Sequence, residues 1–123
     1  MAGARAPQYN VQTMISERLA KLETTLRDND TIPEPTRQEL LSLLTGLKAE
    51  VTPLLATHGD SAQAIAGSAE SAVQASMKRE EQPEHAAEAV EGLAASVRQF
   101  EATHPRLVEI VDQLALTLSN LGI

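Results

Sequence analysis

The sequence predicts an all-α protein whose long amphipathic helices form a bundle, and three observations support this fold class. The apolar side chains are mostly Leu and Ala, which favour helices, and the 123 residues include one Phe, one Tyr and no Trp. Apolar residues recur at intervals of three and four along most of the chain. The length suits one domain, which we place at residues 9–123 after a flexible arm at residues 1–8.

The first helix is predicted to run from about Tyr9 to Arg27, with Asn10 as a candidate N-cap. Its aliphatic side chains are spaced by four, three and four, which places them on one face: Ile15, Leu19, Leu22 and Leu26. The following stretch, DNDTIPEP, contains short polar residues and two prolines, so the helix is expected to end there.

The second helix is predicted to begin between Thr31 and Pro35, because Thr31 and Glu34 have the spacing of a capping box. It is the most apolar segment, with one stripe of five side chains: Leu40, Leu44, Leu47, Val51 and Leu54. Pro53 predicts a kink or an early end, since proline cannot donate a helical hydrogen bond. Gly59 is suited to a left-handed C-cap.

The third segment, Ser61 to Glu81, consists mostly of Ala, Ser and Gly. Small and apolar side chains mark one face: Ala62, Ala66, Ala69, Val73 and Ser76. Such a face buries little area, so its packing energy is low compared with a leucine face. Two alternatives remain: a helix packed closely on a neighbour, which we favour, or a mobile connector within residues 58–82.

The C-terminal third carries a heptad-like series that passes through a proline. Apolar positions alternate by four and three from Ala86 to Leu121, and His104 occupies one of them, directly before Pro105. We call ten of these residues the heptad stripe: Val90, Leu93, Val97, Phe100, His104, Leu107, Val111, Leu114, Leu118 and Leu121. The unbroken phase favours one long helix kinked at the joint His104–Pro105. The alternative is a true break with Thr103 or His104 as N-cap.

The heptad stripe predicts helix–helix association, either with the leucine faces of the first two helices or with the same stripe of a second chain. Its regularity favours a homodimer. The acidic composition, with a formal net charge of −7, argues against nucleic acid and against an anionic membrane as ligands. There is no Cys and no apolar run of membrane-spanning length, so we expect a cytoplasmic protein.

Candidate chemistry is sparse. Glu101 and His104 form one Glu-x-x-His, the motif that di-iron bundles use twice, and His85 has glutamates nearby. We interpret His104 as a helix-cap and stripe residue, and His85 as part of a solvated acidic helix start. His58 is expected to interact with the C-terminal carbonyls of the second helix. No catalytic residue, metal site or cofactor site is assigned, and we expect no enzymatic activity.

The stretch FEATHPRLVEIVDQLALTLSNLGI resembles the end of a family of short bacterial proteins known only as a domain of unknown function. LLSLLTGLKAEVTPLL is similar to an earlier helix of that family, whereas Ser61 to Met77 differs from its shorter, more charged middle. The resemblance implies a small helical protein and no activity. The sequence therefore predicts an interaction or structural protein acting by self-association or by binding a protein partner. The alternative is a ligand- or metal-binding bundle that uses His85, His104 and nearby glutamates.

Overall fold

The protein is a bundle of five α-helices in a computed structural model that describes the backbone of residues 11–122 and the side chains of residues 14–121. The helices are α1 (Val11–Arg27), α2 (Glu34–Leu54), α3 (Gly59–Met77), α4 (Pro83–Ala95) and α5 (Pro105–Ser119). Short 3₁₀ turns lie at Arg98–Phe100 and Asn120–Gly122, and residues 11–122 contain no strand. The all-α prediction is confirmed for this part of the chain, outside which lie the predicted arm, Tyr9 and Asn10.

Each helix contacts the next one along the chain, and a short connection joins the two. Neighbouring helices joined in this way are antiparallel. Helix α3 lies at the centre and contacts the other four helices. The aliphatic faces predicted for α1 and α2 are buried: Ile15, Leu19, Leu22, Leu26, Leu40, Leu44, Leu47, Val51 and Leu54. Burying each Leu or Ile contributes roughly 1.5–3 kcal/mol, so these two faces supply much of the driving force for folding.

The turn between α1 and α2 differs from the predicted capping box. Pro33 occupies the N-cap position, and no side chain caps the helix. Thr31 instead donates to the side-chain oxygen of Asn29 from both its amide (2.8 Å) and its hydroxyl (2.6 Å). The carboxylate of Glu34 pairs with Arg37, one turn further into the helix. The short Asn side chain therefore forms the turn, and proline starts the helix.

The end of α2 follows one of the two outcomes expected for Pro53. The helix ends at Leu54, one residue later, and the His58 amide donates to the Leu54 carbonyl at 2.7 Å. The predicted interaction of His58 with the end of α2 is thus made by its backbone. The C-cap assigned to Gly59 is wrong, since Gly59 is the first residue of α3 and no described glycine has a positive φ.

Helix α3 is packed, as the favoured alternative predicted. All five residues of its predicted small-residue face are buried, together with Ile65, Ala72 and Ala75. Small side chains allow neighbouring helix backbones to approach closely, which lets one helix contact four others. The alanine face therefore gains its stability from the number of its neighbours and from high helix propensity, with little contribution from side-chain size.

The predicted single helix kinked at Pro105 is wrong. Helix α4 ends at Ala95, and α5 begins at Pro105 and folds back to contact α4. His104 has φ −137° and ψ 65°, outside the α-helical region that proline disfavours for the residue before it. The heptad phase survives the break because Val97 and Phe100, within the connection, also lie in the core.

The buried positions of α2–α3 and α4–α5 repeat each other. Adding 46 to the buried positions 40, 44, 47, 51 and 54 of α2 yields 86, 90, 93, 97 and 100, all buried. Adding 45 to positions 62, 65, 66, 69, 72 and 73 of α3 yields 107, 110, 111, 114, 117 and 118 of α5, also buried. Helix α2 contacts α5 as α4 contacts α3. This pattern of burial and contacts is the one that approximate twofold symmetry between two helical hairpins produces, as in an isologous dimer, and α1 is an added fifth helix.

Candidate functional site

The heptad stripe lies in the core of the single chain. Eight of its ten side chains are at most 7% exposed, and His104 and Leu121 are half-buried. Their partners are therefore the chain's own helices, which was one of the two alternatives. Association of two chains through this stripe would require these side chains to leave the core. Dimerisation stays a prediction, with another surface needed to mediate it.

The joint His104–Pro105 starts α5. The His104 amide donates to the Phe100 carbonyl at 2.7 Å, and its carbonyl accepts from the Val108 amide at 3.2 Å. A hydrogen bond of 2.9 Å joins the Thr103 hydroxyl to Nδ1 of His104. Proline fits the first helical position because its missing N–H has no partner there. The alternative of a true break, with His104 as the N-cap residue, is confirmed.

Three aromatic rings meet at this end of the bundle. The Phe100 ring lies edge-to-face against the rings of His58 and His104, with centroids 5.3 Å from each, and the two imidazole centroids are 6.3 Å apart. His58 also has Nδ1 hydrogen-bonded to the preceding threonine hydroxyl, at 2.8 Å. The approximate twofold symmetry explains the meeting, since His58 and His104 are equivalent positions.

Sequence reasoning missed this cluster, although a signal was present. The tripeptide Ala-Thr-His occurs at residues 56–58 and again at residues 102–104. Each copy directly precedes a helix, α3 or α5. A search for internal repeats in the sequence pairs the two histidines directly.

The cluster offers two imidazoles to a ligand. Each Nδ1 is hydrogen-bonded to a threonine, so Nε2 is the nitrogen left for a metal ion. Among residues 11–122 no group of three or more His, Cys, Asp or Glu is placed to hold a metal ion. The structure does not bring His85 to His104, because His85 lies in the first turn of α4, about 15 Å along the helix from its last residue, Ala95. Glu101 is exposed and directly follows Phe100 in the chain.

Two surface grooves flank α1. One, with a volume of about 520 Å³, lies between α1 and α3, where the half-exposed Met14 sits near the Arg18–Glu70 ion pair (2.9 Å). The other, of about 430 Å³, lies beside the start of α2. There, hydrogen bonds from Gln38 and Arg37 hold the pKa of the Glu34 carboxyl below its usual value of 4.5. Both grooves are open to solvent, and most of the side chains that line them are polar or charged.

A further surface emerges from the approximate symmetry. Beside the aliphatic face of α1, the Glu23 carboxylate makes polar contacts with α2. It accepts a hydrogen bond from the Thr45 hydroxyl (3.1 Å) and pairs with Lys48 (3.7 Å). The Arg18 side chain of α1 makes the corresponding contact with α3, where it lies against Gly67 and pairs with Glu70.

The equivalent surface of α4–α5 carries no helix among the described residues. Equivalent positions are found by adding 46 to a residue number on α2 and 45 to one on α3. The α2 residues Thr45 and Lys48 are equivalent to Glu91 and Ala94, and the α3 residues Gln63, Gly67 and Glu70 are equivalent to Val108, Asp112 and Ala115. We call these five equivalent residues the open face: Glu91, Ala94, Val108, Asp112 and Ala115. Glu91 and Asp112 are exposed, and the three apolar side chains are half-buried. Within residues 11–122, the molecule therefore presents the same kind of two-helix surface twice, and a helix covers it once.

The fold and these surfaces define an α-helical bundle protein built from two similar helical hairpins and an added helix. The chain belongs to the family described as a domain of unknown function, DUF4404, which matches residues 42–123. The match covers most of α2 and all of α3–α5, including the Ala/Ser-rich helix, and leaves α1 outside. Neither a curated protein nor a solved structure matches the chain. Within residues 11–122, no helix has the length and apolarity needed to cross a bilayer.

Proposed function

We propose that this protein is a non-catalytic interaction module that binds a protein partner by helix–helix packing. The open face carries the proposal, because the equivalent surface on α2–α3 is covered by an amphipathic helix, α1. A two-helix surface of this geometry therefore accepts a third helix in this same molecule. The half-buried side chains of Ala94, Val108 and Ala115 provide the apolar part of the contact.

The size of these side chains predicts weak, reversible binding. On α1, the four buried aliphatic side chains contribute roughly 1.5–3 kcal/mol each. The open face offers one valine and two alanines, so a helix bound there would bury less apolar surface than α1 buries. Association also costs about 4–15 kcal/mol in lost translational and rotational freedom. A micromolar or weaker complex follows, unless charges add to it.

Self-association is the alternative within the same class of function. Two open faces brought together would place Glu91 and Asp112 of one chain near those of the other. Like charges in contact oppose association, so a homodimer through this face is disfavoured. A dimer formed through another surface would show twice the chain mass in light scattering after gel filtration.

The His58–His104 pair favours a second candidate function, the binding of a transition-metal ion. Imidazole nitrogens are common ligands of Zn²⁺ and Ni²⁺. Titration with ZnCl₂ or NiCl₂ should raise the melting temperature of the natural protein, and the rise should vanish in the variant His58→Ala. An unchanged melting temperature at millimolar metal would contradict this candidate.

Site-specific cross-linking in the native cell tests the interaction proposal. A photoreactive residue is placed at Ala94, on the open face, and a control is placed at Gln74, an exposed position of α3. We expect a discrete cross-linked product from position 94 that is absent from position 74. Equal labelling at both positions, or no product from 94, would contradict the proposal. A product made of two copies of this chain would show self-association instead.

A further inference from the structure

We propose that the open face binds an amphipathic helix carrying basic side chains beside its apolar stripe, at the two positions that Arg18 and Glu23 occupy on α1. This inference rests on the proposed interaction function and names the chemistry of the partner.

The first difference lies at the position of Gly67. On the covered surface, a guanidinium nitrogen of Arg18 lies 3.7 Å from the place where a Cβ of Gly67 would be, and Arg18 pairs with Glu70. On the open face the equivalent of Gly67 is Asp112. A basic residue in the position of Arg18 would thus meet a carboxylate from the neighbouring turn, which is an attractive pairing.

The second difference lies opposite Glu23. On the covered surface, Glu23 is held by the Thr45 hydroxyl and by Lys48. The open face has Glu91 and Ala94 at these places. A glutamate in the position of Glu23 would lose its cation and face a carboxylate, whereas a lysine would gain an ion pair. The open face therefore selects against α1 itself and against the α1 helix of a second copy.

The negative charge of the α4–α5 hairpin also favours a basic partner helix. Residues 83–119 contain six acidic residues and two arginines, a net charge of −4, whereas residues 11–27 contain two acidic and three basic residues, a net charge of +1. Of the two arginines, Arg106 already lies 3.6 Å from Glu50 on α2. Helix α4 contains no basic residue other than His85. This acidic hairpin would steer a basic helix towards the open face.

The test uses two synthetic peptides and the full-length ¹⁵N-labelled protein. One peptide has the sequence of residues 11–27, and the other has the same sequence with Glu23→Lys. We expect the substituted peptide to shift the amide signals of Glu91, Ala94, Val108, Asp112 and Ala115, and to bind at least about tenfold more tightly than the natural peptide, a difference of about 1.4 kcal/mol.

A matched pair of protein variants separates a specific contact from general attraction. The double variant Glu91→Lys with Asp112→Lys should lose at least about tenfold in affinity for the substituted peptide. The double variant Glu80→Lys with Glu81→Lys raises the net charge equally, in the connection before α4, and should bind within about twofold of the natural protein.

Several results would overturn the inference. These are equal binding of the two peptides, equal losses in both double variants, signal shifts on α2 and α3 that indicate displacement of α1, and no shifts at millimolar peptide. The cross-linking experiment tests the proposed function separately. A partner captured from position 94 together with a failed peptide test would retain the interaction function and reject the basic-helix partner.

Discussion

At the scale of single residues, Ser76 has the least favourable environment. Its hydroxyl is buried and has no hydrogen-bond partner among the described residues. An unsatisfied buried hydroxyl costs about 1–3 kcal/mol, and alanine is the better helix former. We therefore expect Ser76→Ala to raise the free energy of unfolding in urea by about 1 kcal/mol or more.

The exposed Ser71, on the same helix, supplies the control for this prediction. Ser71→Ala gains helix propensity but relieves no buried polar group, so its effect should be about 0.5 kcal/mol or less. Equal effects of the two substitutions would show that the Ser76 hydroxyl is satisfied in solution, for example by a bound water.

Two glycines at equivalent positions of the repeated hairpins differ in their surroundings. A Cβ added to Gly92 would meet nothing within 4 Å, whereas a Cβ at Gly46 would lie 3.2 Å from Cδ1 of Ile110. Gly92→Ala should therefore stabilise the protein by roughly 0.5–1 kcal/mol, the helix-propensity difference. Gly46→Ala should gain less or nothing, because Ile110 must move. Thermal unfolding of both variants measures the difference, and equal gains would contradict this packing.

At the scale of helices, Pro105 distinguishes the observed break from a kinked helix. In the structure it starts α5, where proline is favourable and restricts the unfolded chain. Pro105→Ala should therefore lower the free energy of unfolding by about 0.4–1 kcal/mol and leave the helix content unchanged. Circular dichroism and urea denaturation test this together. A rise in both helicity and stability would indicate a continuous helix.

Helix α3 shows how packing compensates for small side chains. Its alanines bury little area each, yet the helix contacts all four others. The periodicity of Ala62, Ala66 and Ala69 was visible in the sequence, and it correctly indicated the buried face. The number of neighbours was not visible, because it depends on the leucine faces of distant helices.

At the scale of the whole molecule, burial of the heptad stripe within one chain predicts how the melting temperature responds to protein concentration. Leu114 is fully buried within one chain, so Leu114→Ala should cost about 2–5 kcal/mol. The melting temperature of the natural protein and that of the Leu114→Ala variant should both be independent of protein concentration. Leu116→Ala, in the same helix at a 55% exposed position, is the control and should change stability by less than about 0.5 kcal/mol. Melting temperatures that rise with concentration would instead indicate subunit association through the stripe.

The fold was largely predictable, and the candidate surface was not. The helical segments and the buried faces of α1, α2 and α3 follow from local spacing. The capping box at Thr31, the C-cap at Gly59 and the kink at Pro105 were wrong. Each depends on which hydrogen bonds and contacts compete once the chain is compact, as in the turn that Asn29 forms with Thr31. The open face is defined only by comparison with the surface that α1 covers.

Local spacing in the sequence specified where most of the helices form and which side of each is apolar, because a period of 3.6 residues is a property of the local backbone. It also contained the repeated Ala-Thr-His and the unbroken heptad phase. The folded structure was needed to show that the stripe packs within the same chain, that His58 and His104 meet around Phe100, and that, among residues 11–122, α1 covers one hairpin and no helix covers the other. This is because an apolar stripe specifies a need for burial and not the identity of its partner. A second chain and a folded-back helix satisfy the same periodicity, and the connection at residues 96–104, ending in His104–Pro105, permits the closer partner.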